Sequence, residues 1–183
     1  MAKKFKLLLL DANIVIELFR SSLWDHVIER CDVHLSRIVL DEAQFYETDD
    51  GQRNDIELEP YIATKKITVF EMTPSDLSQF RGRFDLTYFE KLDPGETESL
   101  AYLLSHAGEC TLCSADGIVY RLLGNLNLSD RGISLEELLK QIGLGRSLLS
   151  QFSQDFRKYW TAKGAQESIR DLGLKKLKPP GKP

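Results

Sequence analysis

Two aspartates each close an apolar run. "LLLLDAN" sets Asp11 directly behind Leu7–Leu10, and "CTLCSAD" sets Asp116 behind residues 110–115. A carboxylate is costly to bury unpaired, so a strand that ends on one needs a reason. Glu42 lies one helical turn from Ile38 and Val39 on one side and from Phe45 and Tyr46 on the other. That spacing puts it on the apolar stripe expected to face the core. Its neighbour Asp41, about 100° round the helix, sits closer to Arg37 and Gln44. In "DPGETESLAYLL", Asp93 and Glu96 match a capping box with Pro94 at the first helical position, which gives Glu96 a structural occupation. Glu98 shares a face with Ala101 and Tyr102 and has no such occupation; it is the favoured third acid, with Glu96 auxiliary. Spacing alone leaves the choice between them open. Asp116 also reads as the N-cap of the helix behind it.

Asp11, Glu42, Glu98 and Asp116 each sit near a strand end or at the start of a helix that follows one. Packing them together is unfavourable by like-charge repulsion unless something positive intervenes. A hard divalent cation with oxygen ligands answers that need, and Mg²⁺ or Mn²⁺ suits a half-open carboxylate site. Such a site can orient and polarise a phosphodiester and lower the pKa of an attacking water.

The elements that must position these acids alternate. Residues 5–10 read as a strand and 14–19 as the start of a helix. Residues 22–31 carry helical spacing, 32–36 a short strand, and 38–46 helical periodicity again. Residues 48–59 form a polar acidic loop without the ligand spacing of a calcium loop. A third strand is expected over 65–72, then a helix over 73–84 with Thr73 as N-cap and Pro74 behind it. A strong helix spans 93–108, ended by Gly108. The next strand covers 110–115 and its helix 116–126. Ser134 and Glu137 match a capping box for a helix that Gly143 stops. Residues 147–160 and 165–174 read as two further helices outside the alternation. The pattern argues for an α/β fold with a mainly parallel sheet, in which ligands bind beyond the carboxyl ends of the strands.

The 183 residues suffice for one sizeable core. No apolar run approaches the ~20 residues that span a bilayer, so no membrane association is expected. The basic N-terminus meets Asp11 before any cleavage-site pattern, so a cytoplasmic protein without a signal peptide is expected. Three cysteines do not suggest a disulfide framework. Cys110 and Cys113 form a C-x-x-C, but on a strand they point to opposite faces, which favours buried structural thiols over redox or zinc chemistry. The net charge of −4 hides an asymmetry: residues 156–183 hold eight Lys/Arg against two Asp/Glu, and the rest holds 16 basic and 26 acidic residues. A basic end on an acidic body points to a polyanion partner or to a solvated, flexible tail.

The order "LLLLDANIVI", "SRIVLDEAQFY", "LDPGETESLAYLL" and "LCSADGIVYRLLG" resembles the PIN-domain family, metal-dependent ribonucleases common as toxins of VapBC-type toxin–antitoxin pairs. The likeness spans residues 4–143. Its most specific pieces are the D-x-N start and the S-x-D before the last core helix, and "PGETESLA" resembles a G-E-x-E-A variant. The resemblance implies a three-layer fold with a central sheet between helices over residues 1–145. Residues 146–183 would be a helical extension with a basic tail. It also implies an acidic quartet at Asp11, Glu42, Glu98 and Asp116 that holds Mg²⁺ or Mn²⁺, with support from Asn13 and Ser114. The implied activity is endoribonuclease cleavage by activated water, leaving a 5′-phosphate and a 3′-hydroxyl.

Arg81, Arg83 and the C-terminal lysines are weaker candidates for RNA backbone contacts. The implied partners are an RNA substrate, an antitoxin protein and a second copy of the chain. The apolar residues of 147–160 could serve that dimer or cover the sheet. A catalytically silent RNA-binding or regulatory module is the non-enzymatic alternative. A haloacid-dehalogenase-type phosphatase also ends its first strand on Asp, but needs an acid where Asn13 stands, and an amide cannot cycle a proton.

Overall fold

The leucines behind Asp11 are buried because they face two cores. In strand β1 (Phe5–Leu10), Leu8 and Leu10 point into one apolar cluster and Leu9 into another, as the two-residue period of a strand requires. A computed structural model describes residues 5–85, 88, 90–106 and 110–175; the expected helix stop at Gly108 and the basic run over 176–183 lie outside the described residues.

β1 is the middle strand of a five-stranded sheet of order β5-β2-β1-β6-β7, and every pairing in it is parallel. β1 pairs with β2 (Cys31–Ser36) and β6 (Thr111–Cys113), and β5 (Ile67–Phe70) and β7 (Gly132–Ile133) pair with those two at the edges. Helices α1 (Ala12–Arg20), α2 (Trp24–Arg30) and α3 (Arg37–Glu42) feed the cluster around Leu8 and Leu10. On the opposite face, α5 (Pro74–Arg81), α6 (Pro94–Ser105) and α7 (Gly117–Asn125) surround Leu9. The chain is thus α/β, with helices flanking both faces of the sheet. Cys113 joins the first cluster and Cys110 the second, and all three cysteines are free and buried. Burial pushes the Cys110 thiol up to about 11 and raises Cys113 well above the ordinary thiol range, the behaviour of inert packing thiols. Among the described residues no helix is long and apolar enough to cross a membrane.

Three expectations from the sequence need correction. The helical periodicity over 38–46 is cut at Glu42: Ala43 closes α3, and Phe45–Glu47 becomes strand β3. The loop over 48–59 contains β4 (Arg53–Asp55), antiparallel to β3, with the Arg53 guanidinium stacked over the Phe45 ring. It also reaches the start of α4 (Glu59–Ala63). The two helices expected at the C-terminal end are one, α9 (Gln154–Ile169), which Ser153 caps by accepting from Phe156 N.

α9 lies on α7 with almost no gap. A methyl group at Gly164 would overlap the Arg121 carbonyl, and one at Gly124 the Thr161 carbonyl. Two ion pairs fix the crossing. Arg157 donates at 2.6 and 2.7 Å to Glu137 on α8 (Leu135–Gln141), and Arg121 of α7 grips both oxygens of Glu167. Burial pushes Glu137 up, but hydrogen bonds from Arg157, Ser134 and Gln154 outweigh it and hold the carboxyl down at about 2. Gly164→Ala is therefore expected to destabilise the protein by about 1–3 kcal/mol. Urea denaturation would show this as a lower midpoint at unchanged slope.

Candidate functional site

At the carboxyl ends of the parallel strands lies a hollow of about 210 Å³, lined by Asp11, Ala12, Asn13, Ile16, Val39, Glu42, Asp93, Gly95 and Glu96. Four of these are acids from three separate parts of the chain, and no Lys, Arg or His is among them.

Asp11 is the fixed point. It leaves the end of β1 with its own N–H donating to Cys113 O at 3.2 Å, so the β1–β6 pairing sets its position. As N-cap of α1, its Oδ1 accepts from Ile14 N at 2.8 Å. Its Oδ2 accepts from Ser114 Oγ at 2.5 Å and Ala115 N at 2.9 Å. Ser114 is fully buried and also accepts from Asp116 N at 2.9 Å, so one hydroxyl orders both aspartates. The Tyr120 phenol secures Ser114 in turn, accepting from its N–H at 3.1 Å and lying 2.6 Å from its carbonyl. Asp116 caps α7 by accepting from Ile118 N at 2.9 Å, as its sequence position predicts, with its side chain exposed.

Glu96 comes from the N-terminus of α6. The expected capping box is formed: Asp93 Oδ1 accepts from Glu96 N at 2.7 Å and Glu96 Oε2 accepts from Asp93 N at 3.2 Å. The box does not remove Glu96 from the site; it fixes both acids at the hollow. Glu42 reaches the same space past Gly95, where a methyl would stand 3.1 Å from Glu42 Oε2. Contrary to expectation, Glu42 is exposed and off the apolar stripe, because α3 ends at this residue and Phe45 and Tyr46 belong to a strand. Asp41 lines a different hollow with Arg37 and Gln44, as its angular position predicts.

Glu98 does not line the hollow. Two residues along a helix is about 200° of rotation, so Glu98 turns away from the hollow that holds Glu96. It is buried, accepts from Met72 N at 2.7 Å beyond β5, and its Oε2 has no hydrogen-bond partner among the described residues. Arg81 and Arg83 are not at the acids either. Arg81 ends α5, and Arg83, two residues on, lines a separate hollow with α5 and α6 residues. Sequence reasoning missed Asp93 altogether, since a capping motif explains an Asp at that position without a second role.

Burial, and then neighbouring acids, raise the carboxyls of the hollow. Burial first, and then Asp93, Asp116 and Asp11, push Glu96 up to about 9. Burial pushes Asp11 to about 6, despite the hydrogen bonds from Ser114, Ile14 and Ala115 that pull it down. Glu42 is raised by burial and by Asp93, Asp11 and Asp41. Among the described residues no three acid, His or Cys side chains already stand in a metal-ligating arrangement. The donor set is nonetheless all hard oxygen, crowded and uncompensated by cations, which is the chemistry that Mg²⁺ or Mn²⁺ fits. No protein-family model matches the chain, and no curated protein matches it significantly.

A carboxyl raised by folding leaves stability intact below its ordinary pKa and lowers it as pH climbs toward the raised value. Without divalent cations the protein should therefore lose stability between about pH 4.5, the ordinary glutamate value, and about 9. Glu96→Gln is expected to raise the melting temperature at about pH 8 in EDTA by roughly 3 °C or more. Differential scanning calorimetry should find that gain gone at about pH 4.

Proposed function

We propose that the chain is a metal-dependent endoribonuclease with a PIN-like arrangement of acids. The observation that carries the reading is the convergence of Asp11, Glu42, Asp93 and Glu96 on one cation-free hollow at the strand ends, with Asp116 within electrostatic reach. Asp11, Glu96 and Asp116 are the principal residues to hold Mg²⁺ or Mn²⁺, and Glu42 and Asp93 complete the shell. A bound divalent ion supplies charge neutralisation at the scissile phosphate and a more acidic water.

The protein's own part is placement. Ser114 and the Ala115 and Ile14 N–H groups hold the Asp11 carboxylate in place, Oδ2 taking two of these bonds and Oδ1 one, at a residue that lines the hollow. Asn13, on the rim, offers an amide that can steady a phosphate oxygen or a water. In this reading Glu96 takes the role of the third acid, and Glu98 is a strut between α6 and the end of β5. As a toxin, the protein would be paired with a cytoplasmic antitoxin that covers the hollow.

The test is incubation of purified protein with unstructured RNA in Mg²⁺, Mn²⁺ or EDTA. Cleavage is expected in either metal, absent in EDTA, and reduced on the order of a hundredfold or more in Asp11→Asn and Glu96→Gln. Ser114→Ala, which removes an orienting bond and no acid, should lose about 10–100-fold. RNA binding without cleavage in any metal would establish the silent module instead, and turnover of a small phosphomonoester alone would establish a phosphatase.

A further inference from the structure

Helix α9 passes beside the residue that follows Asp116. Trp160 lies against Gly117, the residue after Asp116: a methyl group on Gly117 would overlap the indole. Tyr159 meets Trp160 edge-on at 5.3 Å between centroids, and the Lys163 ammonium lies 4.9 Å from the Trp160 ring. Tyr159 is 63% exposed, unusual for an aromatic with an apolar neighbour at hand. From it, Tyr159, Lys163, Gln166 and Arg170 recur at intervals of four, three and four residues, which places them on one stripe of the helix. The stripe is about 16 Å long at 1.5 Å per residue.

Its charge is sorted by the same packing. The two ionic residues that α9 turns inward are each neutralised, Arg157 by Glu137 and Glu167 by Arg121. Beyond these pairs the stripe carries the half-buried Lys163 and the exposed Arg170 at the helix end, with the exposed Asp155 one turn before Tyr159. An exposed aromatic for stacking followed by cations is the surface that takes a nucleic-acid single strand, bases on the ring and phosphates on the cations.

We propose that this stripe is a docking track for single-stranded RNA, delivering the strand past Trp160 to the acids beside Asp116. The inference rests on the ribonuclease reading for the identity of the strand. The track itself is independent of turnover. Binding of a short fluorescein-labelled oligouridylate is followed by anisotropy in EDTA, with every variant built on Asp11→Asn so that no cleavage intervenes. Tyr159→Ala is expected to weaken binding about tenfold, and Tyr159→Phe, which keeps the stacking face, to restore it. Lys163→Ala with Arg170→Ala should lower the slope of log K against log salt by about 1.4. Melting curves that match the parent exclude a folding defect. Unchanged affinity and slope in these variants would overturn the track even if the parent chain cleaves RNA. Loss of binding in the variants of a chain that cleaves nothing would sustain the track and remove the ribonuclease.

Discussion

The hydrogen bonds at Asp11 hold the architecture and the site together. The strand pairing brings Asp11 N–H to Cys113 O, and the Asp11 side chain then ties the start of α1 to Ser114 and Ala115 at the end of β6. A single carboxylate thus closes the exits of two adjacent parallel strands. Strand exits are where an open parallel sheet leaves room for a ligand, and the carboxylate that secures the topology also lines the floor of the hollow. Ser114, held by the buried Tyr120 phenol, extends this order to Asp116, so the aspartates behind both central strands answer to one hydroxyl.

Around this floor the protein accumulates acids that its fold does not compensate. Glu42, Asp93 and Glu96 come from elements that pack for other reasons: an N-capped short helix, a capping box, and a glycine that lets them approach. The raised carboxyls show that the arrangement works against stability in the bare protein. Two inward acids on other elements do have cationic partners, Glu137 with Arg157 and Glu167 with Arg121. No cation lines the hollow at the strand ends, and the divalent ion proposed there would offset the repulsion among its acids.

Much of this was legible in the residues. An apolar run that stops on Asp identified both central strand ends, and Ser/Thr/Asp caps with Pro behind them located α5 and α6 correctly. The failures have physical causes. Glu96 and Glu98 lie on opposite sides of one helix turn, and which side faces the strand ends depends on packing against β5 that no spacing encodes. The β3–β4 hairpin uses strands of three residues, too short for periodicity to register. The long α9 was divided because its contact face buries Thr161 and Gly164, small residues that carry no apolar signal. Glu42 was placed on a stripe that continues only if α3 does, and α3 stops there.

The proposed ribonuclease needs a divalent cation in the acid hollow. The most direct test is Mn²⁺ titration of the intact chain followed by electron paramagnetic resonance, with paramagnetic broadening of amide signals to locate the ion. The account predicts saturable binding, broadening centred on Asp11, Gly95 and Glu96, and loss of both in Asp11→Asn. Binding that survives this substitution, or broadening centred on other residues, would contradict it.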